Sequence, residues 1–240
     1  MAVRQFDAMA EITGAFQLLL KNWMLAIPTA AVWLITSLFI FFIFAGAIGT
    51  MGFGMTGDTN GFLGMLGAFF GLAGLFAIVI GLLHVLADAT VVASAEEAWS
   101  GGSLDLSRSF SQALSCLVNL VIAFVIVGIA AGVLAITVVG PLAVLFFAMY
   151  VLPAIVNGKR SAIEAIGDSI KIAIKNPMPT VAALLTFFVA GVVAGILQGA
   201  LGWIMGLNFI VATVVNGFLF GFCALVIARF YDLLKGSIAA

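Results

Sequence analysis

Six long apolar runs, separated by short segments that hold almost all of the charge, leave this chain one medium in which to fold. A helix needs about 20 apolar residues to cross a hydrocarbon core about 30 Å thick, because each residue rises about 1.5 Å. The runs extend from Leu25 to Ile48, Phe62 to Ala87, Leu117 to Val138, Leu142 to Val156, Thr180 to Ala200 and Phe209 to Ala228. The helical pattern of the second continues toward Trp99, and Val139-Gly140-Pro141 reads as a tight turn before the short fourth. Of 240 residues 65% are hydrophobic and 8% charged, whereas a soluble domain carries roughly 25% charged residues to face water. The expected fold is therefore all-α: a polytopic membrane helix bundle of about six transmembrane helices, forming a single integral membrane domain over residues 1–240.

Charge placement gives the direction. Arg4 and Lys21 precede the first run, Arg108 lies between the second and third, and Lys159, Arg160, Lys171 and Lys175 lie between the fourth and fifth. Arg229 and Lys235 follow the sixth. A six-span path puts all of these on one face and none on the other, which the positive-inside rule makes cytoplasmic. The expectation is a cytoplasmic (inner) membrane protein with both termini in the cytoplasm. The N-terminus carries Asp7 and Glu11 where a secretory signal would be basic, so the first apolar run is expected to stay in the protein.

The charged segments alternate polar and apolar residues at helical spacing over 4–21, 107–115 and 159–175. In the last, Ile163, Ile166, Ile170 and Ile174 recur every three or four residues among Glu164, Asp168, Lys171 and Lys175. Helices of this kind lie at the membrane surface, apolar side toward the acyl chains. Three such interfacial amphipathic helices divide the chain into three helical-hairpin units, roughly 1–100, 101–158 and 159–240. A loose echo of FDAM, FSQAL and IEAI accompanies the division.

The chemistry on offer is sparse. His84 is the only histidine, and Asp88 follows it at i+4 on the same helix face. Ionisable groups in an apolar run suggest a proton relay or ion site. The plainer reading, which we expected, is a hydrogen-bonded pair at the wet cytoplasmic end of a helix that outruns the bilayer. Asn119, Gln198, Asn208 and Asn216 suit either a polar path or bonds between helices. Arg229 and Asp232 read as an exposed ion pair of little weight. Gly191, Gly195 and Gly199 form a GxxxGxxxG line, the spacing that lets two helix backbones approach, so a bulky residue at Gly195 is expected to part them. Cys116 and Cys223 read as small apolar residues rather than a disulfide. No nucleotide loop, HExxH or GxSxG motif occurs. No catalytic residue, metal site or cofactor is therefore expected. Near-zero net charge argues against nucleic acid. The expected partners are membrane lipids, other membrane proteins or further copies of the chain.

The stretch YVLPAIVNGKRSAIEAIGDSIKIAIKN resembles the membrane domain that precedes some glycerophosphodiester phosphodiesterases, and its standalone bacterial relatives. The shared shape is a span ending in Leu-Pro-Ala-Ile, a turn, and an Ala-rich helix with a serine and a final Lys-Asn; EEAWSGGSL after the second run also fits. The resemblance implies a six-helix membrane domain linked to lipid metabolism. The soluble phosphodiesterase domain is missing from this chain, so that activity does not follow. The leading expectation is a non-enzymatic protein of lipid or envelope homeostasis, or a helper subunit of a membrane complex. The alternative is a small transporter or lipid-moving protein that uses polar groups in the bundle.

Overall fold

A computed structural model describes residues 6–54, 59–137, 139–201 and 207–238. The order of elements is α1 (Ala8–Lys21), α2 (Ile27–Gly54), α3 (Thr59–Ser100), α4 (Leu106–Ser115), α5 (Leu117–Leu134), α6 (Val139–Ala148), α7 (Val151–Val156), α8 (Ala162–Lys175), α9 (Pro177–Leu201) and α10 (Leu207–Leu234). One 3₁₀ turn, Trp23–Ala26, leads into α2, and another, Lys235–Ile238, follows α10. The described residues contain no strand. Among the described residues six segments are long and apolar enough to cross a membrane: Trp23–Ile43, Phe70–Ser100, Leu117–Leu134, Val139–Val156, Pro177–Leu201 and Phe209–Ile238. The chain is an all-α, multi-pass membrane bundle. Its outer surface is apolar: Phe70, Ile129 and Phe188 are each at least 63% exposed, an arrangement that lipid tolerates and water does not.

The short helices α1, α4 and α8 each begin on a side-chain cap. Asp7 accepts the N–H groups of Met9 and Ala10, and Asp105 accepts that of Arg108. Glu164 reaches back to the N–H and hydroxyl of Ser161. Those bonds, the backbone one first, hold the Glu164 carboxyl below its usual range. The stabilisation is present above the ordinary carboxylate range and is lost as pH falls through the lowered value. Asn22 and Asn176 end α1 and α8 alike, each returning both its backbone N–H and its Nδ2 to one carbonyl, Leu18 or Ile172. In α8 the inward face is small (Ala162, Ala165, Ser169, Ala173, with Ile172), while Ile163, Ile170 and Ile174 look outward.

These three helices gather with the ends of α3 and α10 into a charged layer, which holds every described lysine and arginine. Arg229 donates to Glu11 at 2.7 Å and lies 4.5 Å above the Trp99 ring. This corrects the expected Arg229–Asp232 pair: Asp232 instead binds Lys235 at 2.8 Å. Glu11, 218 residues from Arg229, was out of reach of local reading. Lys175 and Asn176 bind Ser237, which ties the C-terminal turn to α8. Arg229→Ala is expected to lower stability by about 1–3 kcal/mol, since it strands a mostly buried Glu11 carboxylate and uncovers Trp99. Lys235→Ala, at an exposed pair, should cost under about 1 kcal/mol. Equal melting temperatures for the two variants in detergent would contradict that ordering.

Two local features depart from the sequence reading. Val139-Gly140-Pro141 is not a turn but the first turn of α6, where proline lacks only an N–H that the helix would leave unpaired. The reversal starts earlier, at Ala135, and Thr137 Oγ1 accepts the Gly140 N–H at 3.0 Å. The fourth span is also broken, at Met149-Tyr150, between α6 and α7. Pro153 has no N–H to return to the carbonyl of Met149, so the helical ladder fails there. Ser169 of α8 closes the gap, accepting the Tyr150 N–H at 3.0 Å and donating to the Phe147 carbonyl at 2.6 Å. The Tyr150 ring, fully buried, bonds Thr180 Oγ1 at 3.1 Å.

Candidate functional site

His84 and Asp88 share a face of α3, yet they meet different neighbours. Thr36 on α2 spends its single hydroxyl proton on the Val32 carbonyl. His84 Nε2 lies 3.1 Å from Thr36 Oγ1, a hydrogen bond between α3 and α2. The other ring nitrogen, Nδ1, is enclosed and has no hydrogen-bond partner. The imidazole packs edge-on against Trp33, with centroids 5.1 Å apart, and beside Phe220. It links α2 to α3.

No hydrogen bond joins Asp88 to His84. The expected self-bonded pair is corrected: His84 bonds Thr36 of α2, while Asp88 borders a cavity whose wall includes Trp33 and Phe220, the two rings His84 packs against. Roughly 16 Å of helix separates Asp88 from Trp99 in the charged layer. Its Oδ1 is enclosed and has no hydrogen-bond partner. The residue borders a cavity of about 600 Å³ between α3, α9 and α10, within the usual 300–1,000 Å³ of small-molecule sites. Trp33 of α2 and Leu145 of α6 complete the wall. On the far side Gln198 donates to Asn216 Oδ1 at 3.0 Å, a bond between α9 and α10. Asn216 is 7% exposed. Phe187, Phe220 and Cys223 add apolar and aromatic surface.

Two glycines of the Gly191-Gly195-Gly199 line border this cavity. Gly191 and Gly195 form part of its wall, and a Cβ built on Gly191, Gly195 or Gly199 meets no atom within 4 Å. Among the described residues of this chain no helix packs against these three positions, and the absent side chains leave room. The close approach occurs instead on α10, where a Cβ on Gly217 would sit 2.5 Å from Ala30. Thr29 donates to the Gly217 carbonyl across the same contact. A GxxxG spacing in sequence does not say whether its groove holds a helix or a void.

The remaining polar candidates are accounted for within the fold. Asn119 accepts the Ala162 N–H at the start of α8, and Gln112 donates to the last carbonyl of α7. The Asn208 side chain lies outside the described residues. Cys116 and Cys223 are free. Among the described residues no three His, Cys, Asp or Glu side chains gather closely enough to hold a metal ion. Two further grooves, near Phe76 on α3 and near Phe124 on α5, are almost wholly apolar. Of these three the Asp88 cavity has the most polar wall. Trp33 and Cys223 had no local signal in the sequence; they reach the cavity only because α2 and α10 pack on α3. No family model, no curated protein and no solved structure matches this chain.

Proposed function

We propose that this chain is a non-enzymatic membrane protein that binds, and carries within its bundle, an amphipathic small molecule. The observation that supports the reading most is Asp88: an acid inside a spanning helix, one of whose oxygens is enclosed without a hydrogen-bond partner, beside a cavity of ligand size. Ionisable groups at such positions are costly and persist where a pathway or ligand compensates them. The cavity couples that acid and one amide pair to mainly apolar walls, the usual make-up of a small-molecule site. Among the sequence-based alternatives this favours the transporter or lipid-moving reading over the helper subunit. The resemblance to a membrane domain of lipid-degrading enzymes is in keeping with it.

Trp33 supplies the readout. Amphipathic molecules titrated into the purified protein should change tryptophan emission saturably, and the change should vanish in Trp33→Phe. Gly195→Leu should retain the fold and abolish binding by filling the cavity. If no cationic, neutral or anionic amphiphile in a broad panel binds saturably, the carrier reading falls.

We further place the charged layer in the cytoplasm of a cell whose inner membrane holds the protein, on the positive-inside bias. Cysteine introduced at Asp58 should then label from outside intact cells, whereas Ser103→Cys and Lys235→Cys should not. External labelling at Lys235 would reverse the assignment. Asp58 itself lies outside the described residues.

A further inference from the structure

Resting on the carrier reading, we infer that the ligand is an amphipathic organic cation, its ammonium or equivalent head seated against Asp88. The wall of the cavity contains one ionisable oxygen acid and no Lys, Arg or His. An anionic head would therefore meet a carboxylate with no cation to offset it. A wholly neutral ligand would bring the carboxylate no counter-charge, whereas a cationic head supplies one. A small inorganic cation fits poorly too, because it calls for about six oxygen ligands and a tight cage, whereas this space is large and mostly apolar.

An organic cation satisfies each feature of the wall. Its charge neutralises Asp88, whose Oδ1 no protein group reaches. Its apolar body fills space bounded by Phe187, Phe220 and Trp33, and aromatic faces attract desolvated cations. The Gln198–Asn216 bond uses one hydrogen of Gln198 and one oxygen of Asn216. That leaves the Gln198 oxygen as an acceptor for any N–H on the head. Gly191 and Gly195 widen the cavity for a body bulkier than a single alkyl chain.

The test compares matched amphiphiles that differ only in the head: a quaternary ammonium, its uncharged carbon isostere and a carboxylate analogue. Each is titrated against wild-type protein in detergent at neutral pH, with tryptophan emission and a radioligand competition as readouts. The cation should bind about tenfold or more tightly than the uncharged isostere, and the carboxylate should not compete. Asp88→Asn, nearly isosteric, should bring cation and isostere to within about twofold of one another. Cation and isostere binding equally to the wild type would overturn the cation assignment while leaving the carrier reading intact, provided Gly195→Leu still blocks both. The comparison on wild type alone decides the point if Asp88→Asn does not fold. Saturable binding of none of the three would remove the carrier reading and this inference together.

Discussion

Gly217→Ala is expected to cost more stability than any other single-methyl addition on α9 or α10, and along the spans only Gly140, whose Cβ would run into the Leu134 carbonyl, is tighter. The new Cβ on Gly217 would lie 2.5 Å from both Cα and Cβ of Ala30 and 2.8 Å from its nitrogen. No flexible tip is available to yield, so the α2 backbone must move away from α10. That shift would also pull Thr29 from the Gly217 carbonyl that it bonds. Overpacking of this kind costs about 1–3 kcal/mol, and the lost buried hydrogen bond adds about 1 kcal/mol or more. Gly217→Leu should give no folded protein. Two comparisons sharpen the result. A Cβ at Gly221 meets its nearest neighbour at 3.4 Å, so Gly221→Ala should be mild. Gly195→Ala, facing empty space, should be neutral. Thermal unfolding in one detergent ranks the three, and a Gly217→Ala protein as stable as Gly195→Ala would refute the geometry.

Ser169→Ala carries the second large effect. The hydroxyl serves both sides of the break in the fourth span, and both Ser169 and Tyr150 are fully buried. Without it the Tyr150 N–H and the Phe147 carbonyl lose the bonds they make across the break, in a place water does not reach. Each orphaned group costs about 1–3 kcal/mol, so the variant should lose about 2–6 kcal/mol in all. The change in volume is one oxygen atom, which leaves little room for a packing explanation. Hydrogen exchange at the Tyr150 amide should rise along with the loss of stability. Unchanged exchange there would show that the clasp is dispensable.

The spans were legible because hydrocarbon imposes a length and a composition that no other environment does. The long α3, running on to Ser100, followed from the periodicity through Trp99. The caps at Asp7, Asp105 and Ser161 belong to helices whose apolar periodicity was also visible. What failed were the readings in which one pattern serves two structures. Gly-Pro suits a turn and a helix start equally. Gly191, Gly195 and Gly199 suit a seam and a void equally. His84 and Asp88 were singled out as ionisable groups in an apolar run, but i+4 spacing alone cannot say that one bonds Thr36 while the other borders a cavity. Gln198 and Asn216 were visible as amides; that they bond one another depends on how two separate helices align.

The contact between the first and last spans has a consequence for synthesis. Thr29 waits for a carbonyl 188 residues later, and Glu11 for a guanidinium 218 residues later. At a translation rate of about 5–20 residues per second, the opening helices spend roughly 10–40 seconds in the bilayer before the groups that complete them exist. Throughout that interval the Glu11 carboxylate lacks its guanidinium and the Thr29 hydroxyl has only the nearby Ala26 carbonyl, a mark that membrane proteases and chaperones can read. A ribosome that stops short of Gly217 leaves the mark permanently, so an incomplete chain is flagged at its beginning.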